Sequence, residues 1–298
     1  MASPRHFINL RDFEAQTLKD ILAQAHTLKA HKYSPPQLFR GLTLAMMFDK
    51  LSTRTRMSFD VAMKQLGGHT IVMSKGDMQF GGAESIESTA QVMSRYVDAI
   101  MVRMSNHETM EELASYSDIP IINGMTDKSH PCQIMADMMT IEEKLGSIEG
   151  KKVAWFGDYN NVTKSFVDAS DKFGFEFVCA LPKDICEKAD KAANPTSDAM
   201  AAAKDADVIV TDTWVSLGQD GKEIEKFWPY QVNGDLMAKA QKTAIFMHCL
   251  PIHEWEEVTE DVAKGPQSVI YDEAENRLHA QKAILAWCLA ESGVKVGN

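Results

Sequence analysis

Short apolar runs of strand length alternate with amphipathic stretches along most of this chain, and that alternation limits the fold more than any other feature. Strand candidates fall at 43–48, 69–74, 99–104 and 119–123, with helical patterns at 53–66, 84–97 and 107–116 between them. Within 53–66, Phe59, Ala62, Met63 and Leu66 recur at the i, i+3, i+4, i+7 spacing of one buried helix face. A further amphipathic helix, with Leu18, Ile21, Leu22 and Ala25 on one side, is expected over 11–31. Strands separated by helices imply a parallel sheet covered on both faces.

The pattern then starts again. A long helix with Ile134, Met138, Ile141 and Leu145 in register ends at Gly146. Beyond it, strands are expected at 152–157, 175–181, 207–211, 243–247 and 269–271, with a helix over 162–173. Residues 188–205 are rich in Ala, Asp and Lys and read as a solvated helix, and the chain closes with a helix over 276–291. A length of 298 residues suits two domains, each large enough to bury its own core. The expected fold is therefore α/β, with two parallel-sheet domains covering 1–146 and 147–275. The last helix packs back on the first domain.

Several function classes are disfavoured at this level. The net charge of −11 makes nucleic acid an improbable partner, because its phosphates attract basic surfaces. No apolar run reaches membrane-span length and the N-terminus lacks a signal-peptide pattern, so a cytosolic protein is expected. Five cysteines without a CxxC pair read as reduced thiols, and neither His130 with Cys132 nor His248 with Cys249 has zinc-site spacing. The segment Gly157-Asp158-Tyr159-Asn160-Asn161 lacks the glycine fingerprint of a dinucleotide site.

In open α/β sheets, ligands bind beyond the carboxyl ends of strands, and polar clusters follow five of the strand candidates. Ser52, Thr53, Arg54, Thr55 and Arg56 sit where the first strand meets a helix N-terminus. Backbone N–H groups, hydroxyls and guanidinium groups converging there suit an oxyanion such as phosphate. Two Arg in a first helical turn oppose the helix dipole, which favours anions at that end. Arg103 ends the third strand, His130-Pro131-Cys132-Gln133 follows the fourth, and Asp212-Thr213-Trp214-Val215-Ser216-Leu217-Gly218 and His248-Cys249-Leu250-Pro251 follow strands of the second series. Taken singly, His130 and Cys249 read equally well as buried structural residues and Asp212 as a loop cap; the ordered set at strand ends argues for chemistry.

The motifs S-T-R-T-R-x-S-F-x-x-A, H-P-x-Q and H-C-L-P, in this order, resemble the carbamoyltransferase family over nearly the whole chain, on its ornithine rather than its aspartate branch. The resemblance implies that Ser52, Thr53, Arg54 and Thr55 hold the phosphate of carbamoyl phosphate, that Arg103 contacts its phosphate or carbonyl side, and that His130 contacts the carbonyl oxygen. Gln133 and the carbonyl of Leu250 would bind the carbamoyl amino group, with Cys249 nearby and Arg277 completing the site. Gln79, in a polar glycine-rich loop, would reach the site of a neighbouring subunit, which implies a homotrimer or a multiple of trimers. Asn161, Asp212, Ser216 and Leu217 would contact the amino acid, Asp212 and Cys249 lying near its side-chain amine. At 217 this chain has Leu where the family usually has Met, a swap of similar volume.

The resemblance further implies transfer of a carbamoyl group to L-ornithine, giving L-citrulline and phosphate within arginine biosynthesis, with neither metal nor organic cofactor. A cleft between the domains would close over the substrates, with the loop around 216–225 taking part. Arg103, His130, Asp212 and Cys249 are the candidates for catalysis, and Arg56 is left as structural. The alternatives are a relative acting on another amine, such as putrescine or an N-acylated ornithine, or an inactive ligand-binding homologue.

Overall fold

The computed structural model describes residues 4–77, 84–215 and 223–297. The chain divides into two compact units, Met1–Ala136 with Arg277–Asn298, and Asp137–Asn276.

The first unit opens with helix α1 (Ala15–Ala30), whose Leu18, Ile21, Leu22 and Ala25 are buried as their spacing requires. Strand β1 (Thr43–Phe48) is followed by helix α2 (Thr53–Gln65), strand β2 (His69–Ser74) and helix α3 (Ile86–Met93). Strand β3 (Ala99–Arg103), helix α4 (His107–Tyr116) and strand β4 (Ile121–Met125) complete the series. All pairings are parallel, in the order β2-β1-β3-β4. The chain therefore leaves β1 for one side and returns to the other, which puts the switch in strand order between β1 and β3. Phe59, Met63 and Leu66 on α2 and the loop after it are sealed from solvent. Each such side chain contributes about 1.5–3 kcal/mol on burial, so the α2 start is held firmly over the sheet. Helix α5 (Pro131–Leu145) follows, with Pro131 at the first position, where its missing N–H costs nothing.

In the second unit, strand β5 (Lys152–Phe156) leads into helix α6 (Asn161–Phe173), which ends at the left-handed Gly174 (φ 73°). Strand β6 (Glu176–Ala180), the one-turn helix α7 (Lys183–Cys186), the two-residue strand β7 (Pro195–Thr196) and helix α8 (Ala199–Ala203) come next. Strand β8 (Val208–Thr211), helix α9 (Gly234–Met237), strand β9 (Ile245–His248), helix α10 (Glu260–Ala263) and the 22-residue helix α11 (Ile270–Glu291) finish the chain. The five strands are parallel in the order β7-β6-β5-β8-β9, so the switch lies between β5 and β8. Among the described residues no helix is long and apolar enough to cross a membrane.

The structure corrects the sequence reading at three places. The run 269–271 is not a strand. Ser268 makes one bridge to Phe246 and Val269 donates one backbone bond to it, after which Ile270 begins α11. The β-branched Val-Ile pair mimicked a strand, but the helix formers that follow carry the segment. Residues 188–205 are not a solvated helix: Ala199, Ala202 and Ala203 pack beside Phe156, Ile209 and Phe246 in the core of the unit, and small side chains are what let α8 lie close to the sheet. Strand β4 runs to Met125 rather than stopping at Asn123. That asparagine is fully buried, its amide donating to Ile8 O (3.0 Å) and Ser129 O (3.4 Å), so a polar letter concealed an interior position.

Candidate functional site

Both clusters of candidate residues lie at the switch points of their sheets, where diverging loops leave room beyond the strand ends. In the first unit the ends of β1 and β3 are tied together by Asp49, whose N–H donates to Arg103 O (3.1 Å) and whose carboxylate accepts from Ser105 N–H (2.7 Å). Ser52 takes the N-cap position of α2 in an extended conformation (φ −156°, ψ 111°) but its hydroxyl accepts no capping bond. Thr53 and Arg54 are exposed in the first turn, and Thr55 is turned inward and buried.

Thr55 is the hub of this cluster. Its hydroxyl oxygen accepts from Arg103 Nη1 at 3.1 Å and from Arg277 Nη2 at 2.9 Å. Arg277 also donates through Nη1 to Gln133 Oε1 (3.0 Å). Thus α2, β3, α5 and α11 each deliver one member. His130 is buried beside these groups, and burial, then the charges of Arg277, Arg103 and Arg54, hold its pKa well below the ordinary value of 6.5. It is therefore a neutral imidazole near pH 7, fit to donate a hydrogen bond rather than to carry charge. Three guanidinium groups around a neutral His form a local cationic pocket on an acidic protein, a match for a small multivalent anion. Burial also pushes the neighbouring Cys132 thiol up to about 12, with Arg277 opposing; its Sγ donates to Asn123 O at 3.3 Å, which makes it an inert packing residue.

In the second unit the cluster is built on Asp212, just beyond β8. Its Oδ1 accepts from Thr213 N–H (2.8 Å) and from Cys249 Sγ (3.1 Å), and its Oδ2 accepts from Asn160 Nδ2 (2.8 Å). Burial, followed by the Asp212 charge and hydrogen bond, raises the Cys249 thiol well above its ordinary value. Cys249 is thus a protonated donor to Asp212. A thiol held protonated cannot take a proton from an amine, which leaves the carboxylate as the candidate acceptor.

The turn after β9 is set by His248, which is fully buried. Leu250 N–H donates to His248 Nδ1 (2.9 Å), so the ring proton sits on Nε2, which donates to Glu257 Oε1 (3.0 Å). Glu273 Oε2, on α11, accepts from the His248 backbone N–H (2.8 Å). These bonds hold Leu250 in the left-handed region (φ 57°), before a cis peptide to Pro251. Ligand atoms of Asp212, His248 and Cys249 lie within 4.8 Å of one another, closer than their sequence spacing suggested. Both His248 ring nitrogens are already engaged, so a metal there would have to displace Glu257 or the Leu250 N–H.

Asn161, half-buried, is the first residue of α6. Gln79, Ser216 and Leu217 lie outside the described residues, as does most of the loop around 216–225. Sequence reasoning passed over Asn160, Glu257 and Glu273, which support the site without matching a motif. The one available signal was at Asn160: Asn three residues before Thr163 at the start of an apolar helical pattern is a capping signature.

Residues 5–143 match the family model described as Aspartate/ornithine carbamoyltransferase, carbamoyl-P binding domain, and residues 149–288 match its Asp/Orn binding domain. The ornithine carbamoyltransferase of Brucella abortus (strain 2308) is 53% identical over 305 residues, spanning 97% of each chain. That of Agrobacterium fabrum is 52% identical over 303 residues, spanning 97% of this chain and 99% of its own. Among solved structures, ornithine carbamoyltransferase from Pyrococcus furiosus superposes with a TM-score of 0.89 at 47% identity, covering 95% of this chain and 96% of that one. The anabolic ornithine carbamoyltransferase of Campylobacter jejuni gives 0.87 at 37% identity, covering 95% and 98%. With phosphate-type and amine-type clusters at the switch points of two parallel sheets, and both family domains matched, this chain belongs to the aspartate/ornithine carbamoyltransferase family.

Proposed function

We propose that this enzyme transfers the carbamoyl group of carbamoyl phosphate to the side-chain amine of L-ornithine, giving L-citrulline and phosphate. The observation that carries this reading is full-length identity of 53% to an ornithine carbamoyltransferase, joined to the retention here of Arg54, Arg103, His130, Gln133, Asp212, Cys249 and Arg277. Ser52, Thr53, Arg54 and Thr55, with Arg103 and Arg277, bind the phosphate. His130, Arg103 and Thr55 donate to the carbonyl oxygen, where charge develops as the tetrahedral state forms. Gln133 and Leu250 O accept from the carbamoyl amino group.

The nucleophile is an alkyl amine that, like lysine, holds its proton up to a pKa around 10.4, so a proton must leave before attack. Asp212 orients the ammonium and receives that proton; Asn161, with Ser216 and Leu217, takes the α-amino and α-carboxylate groups. The neutral amine then forms the C–N bond and the C–O bond to phosphate breaks, with phosphate carrying the electron pair away and taking up the second proton that the attacking nitrogen must lose. No covalent enzyme intermediate is required, in keeping with a thiol held protonated at Cys249.

We further propose that the reaction serves arginine biosynthesis in the cytoplasm and that the protein works as a homotrimer to which Gln79 contributes, a reading that the motif resemblance supports. Support for self-association comes from Leu51 and Met57, which are 93% and 61% exposed next to the phosphate cluster, and from Ile71 on the edge strand β2. Citrulline formation measured across an amine panel tests the substrate: ornithine should be used fastest, and a preference for putrescine or N-acetylornithine would overturn the assignment. Sedimentation tests the assembly; a fully active monomer would refute it.

A further inference from the structure

We propose that Asn160 is a positioning residue for the amine site: it aims the Asp212 oxygen that, among the described residues, keeps an open lone pair, and the start of α6 dictates which way its own amide faces. This rests on the reading above that Asp212 meets the ornithine amine.

The amide of an asparagine can usually flip, but here the backbone forbids it. Asn160 is the N-cap of α6 (φ −103°, ψ −168°), and its Oδ1 accepts from Val162 N–H (2.9 Å) and Thr163 N–H (3.1 Å). Both lone pairs of that oxygen are used. A flipped amide would set NH2 against two N–H donors. Thr163 completes the box by accepting from Asn160 N–H (3.2 Å), and it donates to Asp158 O (3.1 Å), which also receives Trp155 Nε1–H (2.8 Å). The turn from β5 to α6 is therefore fixed by an indole from inside the sheet, and Nδ2 is left one direction to point, toward Asp212 Oδ2 at 2.8 Å.

The consequence lies in the lone pairs of Asp212. An ionised carboxylate accepts at about four positions. Among the described residues Thr213 and Cys249 occupy both sites on Oδ1, and Asn160 occupies one on Oδ2. The remaining position is on the oxygen that Asn160 holds. Asn160 thus decides where an incoming ammonium can bind, although it does not touch the reacting atoms.

Two cap-preserving substitutions separate this role from helix capping, since Ser and Asp cap about as well as Asn. Asn160→Ser keeps a cap acceptor but cannot reach Asp212. It should lower kcat/KM for ornithine about 10- to 100-fold, the cost of a misplaced reacting group, with the KM of carbamoyl phosphate and the melting temperature nearly unchanged. Asn160→Asp keeps the cap and sets a like charge against Asp212, so the acid limb of its ornithine kcat/KM profile should move to higher pH, a shift absent from Asn160→Ser. Parental ornithine kinetics in Asn160→Ser would overturn the proposal. So would a parallel loss for both substrates with a lowered melting temperature, which would mark Asn160 as a cap alone. An unsubstituted protein that makes no citrulline would instead overturn the functional reading.

Discussion

Thr55→Val replaces a hydroxyl by a methyl of nearly the same shape on a buried helical face, so its effect isolates one oxygen. That oxygen accepts from two guanidinium groups, Arg277 at 2.9 Å and Arg103 at 3.1 Å. A hydrogen bond to a charged group contributes about 1.5–3 kcal/mol. The bond to Arg277 belongs at the upper part of that range because Arg277 is buried; the bond to Arg103, which is half-buried and open to replacement by water, belongs at or below its lower end. The sum is about 3 kcal/mol. For a unit of this size that lowers the melting temperature by about 6–12 °C in calorimetry. With two phosphate-site arginines less restrained, the KM for carbamoyl phosphate should rise at least about tenfold, the equivalent of about 1.4 kcal/mol. Thr55→Ser, which keeps the oxygen, should recover most of both effects, and Thr53→Val, on the exposed first turn, should leave the melting temperature unaltered. A Thr55→Val protein that melts within about 1 °C of the parent would refute the idea that this hydroxyl organises the two arginines.

Burial and three arginines keep His130 unprotonated in the folded state, whereas the unfolded chain binds a proton there below about pH 6.5. His130 therefore adds nothing to the pH dependence above that value and costs stability as pH falls below it, by up to about 1.4 kcal/mol per pH unit. His130→Gln should flatten the fall in urea midpoint between pH 6.5 and 5 while lowering kcat; identical slopes in the two proteins would contradict the electrostatic account. At Gly157, a Cβ would lie 2.8 Å from Trp214 Nε1, and φ is +117°. Gly157→Ala should cost about 3 kcal/mol or more, read as a lowered denaturation midpoint, and an unshifted midpoint would show that the indole yields freely.

Periodicity in the sequence determined the two α/β series, the parallel sheets and the polar clusters at strand ends. Those are local properties: the 3.6- and 2-residue repeats and the helix-start chemistry of 52–56 need no partner to be recognised. Motif order carried the family as well. Pairings that join residues far apart in the chain belonged to the tertiary structure. Nothing near Thr55 in sequence announces Arg277, more than two hundred residues away, as the group that shares its oxygen with Arg103. That Cys249 keeps its proton and donates a hydrogen bond to Asp212, rather than taking a proton, also depends on burial that only the packed unit creates. The buried polar residues made the same point in the other direction. Asn123 and the alanines of α8 were misread because the letters record polarity and size, whereas a site's hydrogen-bond partners and its distance from water are set when the elements pack.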